Sequence, residues 1–121
     1  MIQTGDPTET NCGFKLPDEF AASLKFDRPG RLAMANAGPG TAACQFFITE
    51  DTFATGNGHY TIFGQCDPHT VLMVKGIALV DRNAQDKPLT PVVLNKVTIV
   101  AAGQPIPPLP PSPRPAPQPL R

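Results

Sequence analysis

The chain has 121 residues, with ten Lys and Arg against ten Asp and Glu and a hydrophobic content of 40%. That length suits one domain, and a formal net charge of zero gives no electrostatic case for nucleic acid or an anionic membrane surface. No apolar run reaches the length of a membrane-crossing helix, and the first residues lack the charged-then-apolar pattern of a secretory leader.

Residues 1–3 read as a short strand and residues 5–13 as a turn-rich loop. Residues 17–25 show no clean period and read as irregular. Pro29-Gly30 is a turn signal ahead of a strand over 31–35. Gly38-Pro39-Gly40 cannot continue a strand, whereas residues 46–49, aromatic and β-branched, fit a half-buried one. Strand, tight loop, strand leaves Asn36 and Gln45 at the rims of an apolar floor that includes Phe47, an arrangement able to orient a ligand.

Residues 50–58 read as a loop closing at Gly56-Asn57-Gly58, and residues 60–63 as the next strand. Asp67-Pro68 is an N-cap followed by proline at the first helical position. Val71, Val74, Ile77 and Ala78 follow with helical spacing, and Leu72, Leu79 and Val80 widen the stripe. Gly76 costs that helix about 1 kcal/mol relative to alanine, so the helix depends on packing. Residues 82–91 form a polar loop, and the valines, leucine and isoleucine of 92–101 predict a last strand.

Strands separated by loops, with one helix, predict a mainly β fold: a small antiparallel β-barrel with helical cover. From Gly103 the character changes, because nine of the sixteen prolines fall between Pro105 and Pro119. Such a run is extended polyproline II without a packed core. The expected organisation is a domain over 1–102 and a proline-rich disordered tail over 103–121.

Cys12, Cys44 and Cys66 are odd in number and widely spaced, no Cys-x-x-Cys occurs, and His59 and His69 stand at no metal-ligand spacing to them. The expectation is three ordinary thiols and no metal or cofactor, with a Cys12–Cys66 bridge in an exported protein as the alternative. Gly38-x-Gly40-x-x-Ala43 imitates a dinucleotide-binding loop, but leads into a strand pattern instead of a helix. Asp18-Glu19 and Glu50-Asp51 are adjacent pairs and read as solvated carboxylates.

Four motifs lie in register with one known family. Residues 34–49, MANAGPGTAACQFFIT, resemble the signature of the cyclophilin-type peptidyl-prolyl isomerases, M-A-N-x-G-P-x-T followed by Q-F-F-I-T. Residues 1–8, MIQTGDPT, resemble the family's M-I-Q-G-G-D-P-T, with Thr4 in place of a glycine. Asp18-Glu19-Phe20 is similar to its D-E-F, and Tyr60-Thr61-Ile62-Phe63-Gly64 to its H-T-I-F-G. The resemblance runs from Met1 to about Ala101.

It implies an enzyme that turns Xaa–Pro peptide bonds. The barrier to that rotation is about 18–20 kcal/mol, and no covalent bond changes, so neither nucleophile nor metal is required. The enzyme must bind the twisted amide better than either planar form, with a donor aimed at the prolyl nitrogen in a site drier than water. By resemblance, Met1 and Phe47 build the proline pocket, Gln3 and Gln45 give polar contacts, and the backbone of Ala35 and Asn36 pairs with the substrate. The partners implied are proline-containing peptides or unfolded clients, met by a monomer without nucleic acid or membrane.

The departures are specific. The family's W-L-D-G-K-H becomes Thr55-Gly56-Asn57-Gly58-His59-Tyr60, so its aromatic wall is absent or is supplied by Phe53. Tyr60 then stands at the family's histidine, and a one-residue shift would put His59 there instead. Ala42-Ala43-Cys44 replaces N-G-S at the groove edge. The family's F-H-R-x-x-x-x-F, whose arginine is the donor to the prolyl nitrogen, would precede Met1, together with the N-terminal strands and first helix. The resemblance therefore predicts the C-terminal two-thirds of the domain, with weak or no turnover. The alternative is a non-catalytic binding module for proline-containing segments.

Overall fold

The computed structural model describes residues 1–6 and 12–108. Four short strands, β1 (Ile2–Thr4), β2 (Arg31–Met34), β3 (Phe46–Ile48) and β4 (Ile62–Gln65), precede one helix, α1 (Pro68–Ala78). The strands form one antiparallel sheet in the order β1-β3-β2-β4. Registers place Gln3 and Ala33 on either side of Phe47, and Ala33 opposite Ile62, with a bulge between Leu32 and Ala33.

Side chains alternate across a sheet, and here the alternation separates two unlike faces. Ala33, Phe47 and Ile62 share one face and are 0%, 2% and 7% exposed. The segment before β2 delivers Phe26 onto it, and the segment after β3 delivers Phe53 and Tyr60. Two hydrogen bonds fix that delivery: Phe26 N–H donates to Asn57 Oδ1 at 2.8 Å, and Phe53 N–H to the Phe26 carbonyl at 2.9 Å. Leu32, Met34, Phe46 and Ile48 point to the opposite face and are only half-buried, and Phe63 beside them is exposed.

The turn into β2 depends on Gly30. Its φ is +82°, and a Cβ there would meet Val71 Cγ2 of α1 at 2.6 Å, so both conformation and space call for glycine. Beyond the turn, Arg31 is buried, its Nε donating to the Lys25 carbonyl at 2.8 Å and its Nη2 to Asp27 Oδ1 at 3.0 Å. The Arg28 and Arg31 guanidiniums beside Asp27 hold its carboxyl well below the usual carboxylate range.

Helix α1 starts as expected. Asp67 Oδ1 accepts from Thr70 N–H at 2.8 Å, and Pro68 stands in the first turn. The helix buries Val71 and Val74 and lies against β1, but Leu72 and Leu79 are exposed, so its buried stripe is narrower than the sequence predicts.

Several expectations are corrected. The fourth predicted strand begins at Ile62, two residues late, because Tyr60 turns its ring into the aromatic cluster before the ladder starts. Residues 92–101 form no strand: they are exposed and join no ladder. A strand needs a partner's backbone as well as an apolar pattern, and none of the described strands provides one there. The mainly β architecture with one helix is as expected, and its described strands form one sheet with β1 and β4 as its edges. Nor are there three thiols. Cys12 is disulfide-bonded to Cys44, with Cα atoms 6.0 Å apart, and Cys66 is the free one. Burial and the neighbouring Asp67 carboxylate push the Cys66 thiol up. The bridge spans 32 residues of sequence. The proline-rich tail lies mostly outside the described residues, and residues 105–108 carry no helix or strand.

Candidate functional site

The site grows from the loop that joins β2 to β3. Ala35 N–H donates to the Gln45 carbonyl at 2.9 Å, closing the loop's base. Within it, Thr41 Oγ1 accepts from Ala37 N–H at 2.8 Å and donates to the Gly38 carbonyl at 2.7 Å. This is the local side-chain-to-backbone bonding that serine and threonine offer in turns. Asn36 is held at both ends of its amide: Oδ1 accepts from Gly38 N–H at 3.1 Å, and Nδ2 donates to the His59 carbonyl at 2.8 Å.

The second polar rim is a pair of glutamines. Gln3 sits opposite Phe47 across the β1–β3 ladder, and its Nε2 donates to Gln45 Oε1 at 2.8 Å. The Gln45 side-chain NH2 and the Gln3 side-chain carbonyl have no hydrogen-bond partner among the described residues. Phe47 lies on the same face at 2% exposure, ringed by three aromatics. Its centroid is 5.9 Å from Phe26 (stacked), 6.3 Å from Phe53 (edge-on) and 5.3 Å from Tyr60 (edge-on). Such rings attract one another edge to face and pack as one apolar unit.

The expected site residues therefore divide. Gln3, Gln45 and Phe47 converge on one face, Ala35 and Asn36 border it through the loop, and Tyr60 joins through its ring. His59 is exposed and enters only through its carbonyl. Met1 is about half exposed, and its ammonium is paired with Glu50 Oε1 at 2.7 Å. Phe53 supplies an aromatic wall, 5.9 Å from Tyr60 between centroids. Two concavities lie elsewhere. One, of about 590 Å³, runs between residues 16–24 and the Met34–Phe63 face. The other, of about 190 Å³, touches Tyr60 alone among these residues.

Sequence reasoning missed the strap outside the loop. Asp18 Oδ2 accepts from Gly40 N–H at 2.8 Å, Leu16 N–H donates to the Ala42 carbonyl at 2.7 Å, and Cys12 is bonded to Cys44. Asp18 was visible as half of an adjacent acidic pair and as the start of the D-E-F match, and neither signal couples it to Gly40. The arginines among the described residues are all committed to aspartates: Arg28 and Arg31 to Asp27, and Arg82 to Asp86.

Comparison with known proteins points one way. The profile of the family described as "Cyclophilin type peptidyl-prolyl cis-trans isomerase/CLD" matches residues 1–99. The chain is 47% identical over 103 residues to the probable peptidyl-prolyl cis-trans isomerase A of Mycobacterium leprae, covering 82% of this chain and 57% of that protein. It is 42% identical over 104 residues to peptidyl-prolyl cis-trans isomerase B of Streptomyces anulatus, covering 82% of this chain and 59% of that protein. Two solved structures of a Cryptosporidium parvum cyclophilin-type isomerase superpose with TM-scores of 0.62 and 0.61 at 36% identity. They cover 73% and 72% of this chain and 59% and 60% of theirs, and the second was solved in the presence of the dipeptide Ala-Pro. The chain thus spans a little under three-fifths of these two curated relatives.

Proposed function

The chain belongs to the cyclophilin-type peptidyl-prolyl cis-trans isomerases, and on that premise we propose that it receives Xaa–Pro segments over the Gln3–Gln45 pair and Phe47. The observation that carries this reading is the Gln3–Gln45 contact at 2.8 Å on the face where Phe47 lies. One donor group and one acceptor remain there beside an aromatic floor, which suits an extended peptide with an apolar proline ring.

In this reading Gln45 donates its free NH2 to a ligand carbonyl, and Gln3 orients Gln45. The backbone of Ala35 and Asn36 pairs with the residue before proline. Phe47 and Tyr60 receive the ring, with Met1 at the edge and His59 keeping Asn36 in place. Opening a pocket requires Tyr60 or Phe53 to tilt away from Phe47. Proline-containing segments of peptides or unfolded proteins are the proposed ligands.

Turnover asks for more than binding. Rotation about the Xaa–Pro bond is accelerated by whatever stabilises the twisted amide more than the planar one, chiefly a fixed donor to the prolyl nitrogen. The described arginines are paired with aspartates, which favours binding with weak isomerisation as the activity of the chain as given. The domain proposed for this work covers residues 1–102, with the proline-rich residues 103–121 as a tail outside the fold.

An Ala-Pro titration followed by NMR tests the reading. Saturable shifts are expected at the side-chain amides of Gln3 and Gln45 and at Tyr60. Gln45→Ala should weaken binding about tenfold, the loss of one hydrogen bond near a buried ring. An isomerisation assay on a proline peptide then separates binding from turnover. Absence of saturable shifts at these residues would overturn the site.

A further inference from the structure

We propose that the Cys12–Cys44 disulfide is a redox-sensitive strap that sets the affinity of the β2–β3 loop for its ligand, an inference that rests on the proline-segment reading of that loop. Cys44 immediately precedes Gln45, whose side chain meets Gln3 and whose carbonyl holds Ala35 N–H. From Cys12 the chain runs along the outside of the loop and ties it twice more, Leu16 to Ala42 and Asp18 to Gly40. These three ties run along the Gly40–Cys44 limb of the loop, from its far side at Gly40 down to Cys44 beside its base. Gly5 closes the other flank: its φ is +110°, and a Cβ there would collide with the Cys44 carbonyl.

The strap depends on its cross-link. Residues 12–16 are exposed and contribute little apolar burial of their own, so the disulfide holds this end of the strap, while Glu19 N–H, donating to Thr61 Oγ1 at 3.0 Å, holds the other. Cys12 is exposed and open to attack, whereas Cys66 is half-buried and its thiol is pushed up. A dithiol reductant reacts in two steps. Its thiolate attacks one sulfur, forming a mixed disulfide and releasing the other cysteine as thiolate. Its second thiol then closes on the first and releases the remaining cysteine. The protein disulfide gains two electrons and two protons, and the dithiol becomes a cyclic disulfide. With the bridge open, Cys44 and Gln45 are free to move together, and the Gln3–Gln45 rim loses its fixed spacing.

The test uses the full chain, oxidised or reduced with dithiothreitol, with amide exchange and Ala-Pro affinity read by NMR. On reduction, exchange at Gly40 and Leu16 should rise at least tenfold while the amides of β2 and β3 stay as they were. Ala-Pro affinity should fall three- to tenfold. Cys12→Ser under oxidising conditions should reproduce the reduced state, and Cys66→Ser should match the parent in both states. Equal exchange in the two states overturns the proposal, as does uniform acceleration that includes β2 and β3, which would make the bridge a stabiliser of the whole fold. Faster loop exchange with unchanged Ala-Pro affinity overturns the coupling to ligand. If neither state binds Ala-Pro while Gly40 and Leu16 still loosen selectively, the proline-segment reading fails and with it the ligand for the strap.

Discussion

The two faces of the sheet are built from the same kinds of residue and end in different states. On one, Ala33, Phe47 and Ile62 disappear beneath Phe26, Phe53 and Tyr60. On the other, Leu32, Met34, Phe46 and Ile48 are no less apolar, yet Phe63 beside them remains 53% exposed above a groove of about 590 Å³. Intrinsic hydrophobicity does not separate the faces. What separates them is whether polar anchors elsewhere bring a covering segment down. Asn57 and the buried Arg31 do so for the first face, by holding the backbone of Phe26 and Lys25. Residues 16–24 are tied to the second only at its rim, through Leu16 to Ala42 and Glu19 to Thr61, and leave the groove between.

The sharpest way to break this contrast is Phe47→Ala. It removes the ring that three aromatics contact and should cost about 3–5 kcal/mol, read by denaturant unfolding. A loss below about 1 kcal/mol would mean that the packed face is not the core. Acid probes the anchor that covers that face. Because Asp27 is held below its ordinary value of 3.8 by Arg28 and Arg31, its contribution is complete above that value and is lost as pH falls beneath it. The unfolding midpoint should therefore decline below about pH 4. Asp27→Asn should flatten part of that slope, and Asp67, lowered by the Thr70 N–H, should supply another part. An unchanged slope in Asp27→Asn would detach the Asp27 carboxylate from the cover. The smallest change is expected on the open face. Phe63→Ser should shift stability by no more than about 0.5 kcal/mol while reducing self-association in light scattering. A large destabilisation there would show that the two faces are equally load-carrying.

How much of this was legible follows from the range of each interaction. The strands over 31–34 and 46–48, the glycine-rich loop between them and the Asp67 cap are written locally, in period, turn residues and capping residue, and the structure has them within a residue. Residues 92–101 carry as good an apolar pattern as any, but a strand is a relation between two segments, and pattern cannot provide the second. The Cys12–Cys44 pairing, the Asp18–Gly40 bond and the Asn57 bond to Phe26 are equally non-local. The motif match brought Gln3, Gln45 and Phe47 to one place on paper, and the registers bring them there in space. It did not reveal that Phe47 is closed over by Tyr60 and Phe53, because Tyr60 ends the stretch 55–60 where the sequence leaves the family pattern and Phe53 lies just before it.

The strand order has a kinetic meaning. Only β2 and β3 are joined by a short connection, residues 35–45, and closing a short loop comes early because little chain entropy opposes it. β4 adds next, after residues 49–61 have passed over the aromatic face. β1 is first in sequence but must find β3 across everything between residues 4 and 46, so it is expected to dock last. Gln3 rides on β1. The glutamine pair is thus expected to assemble at the end of folding, and a nascent chain would complete the Gln3–Gln45 contact only after the rest of the sheet has formed.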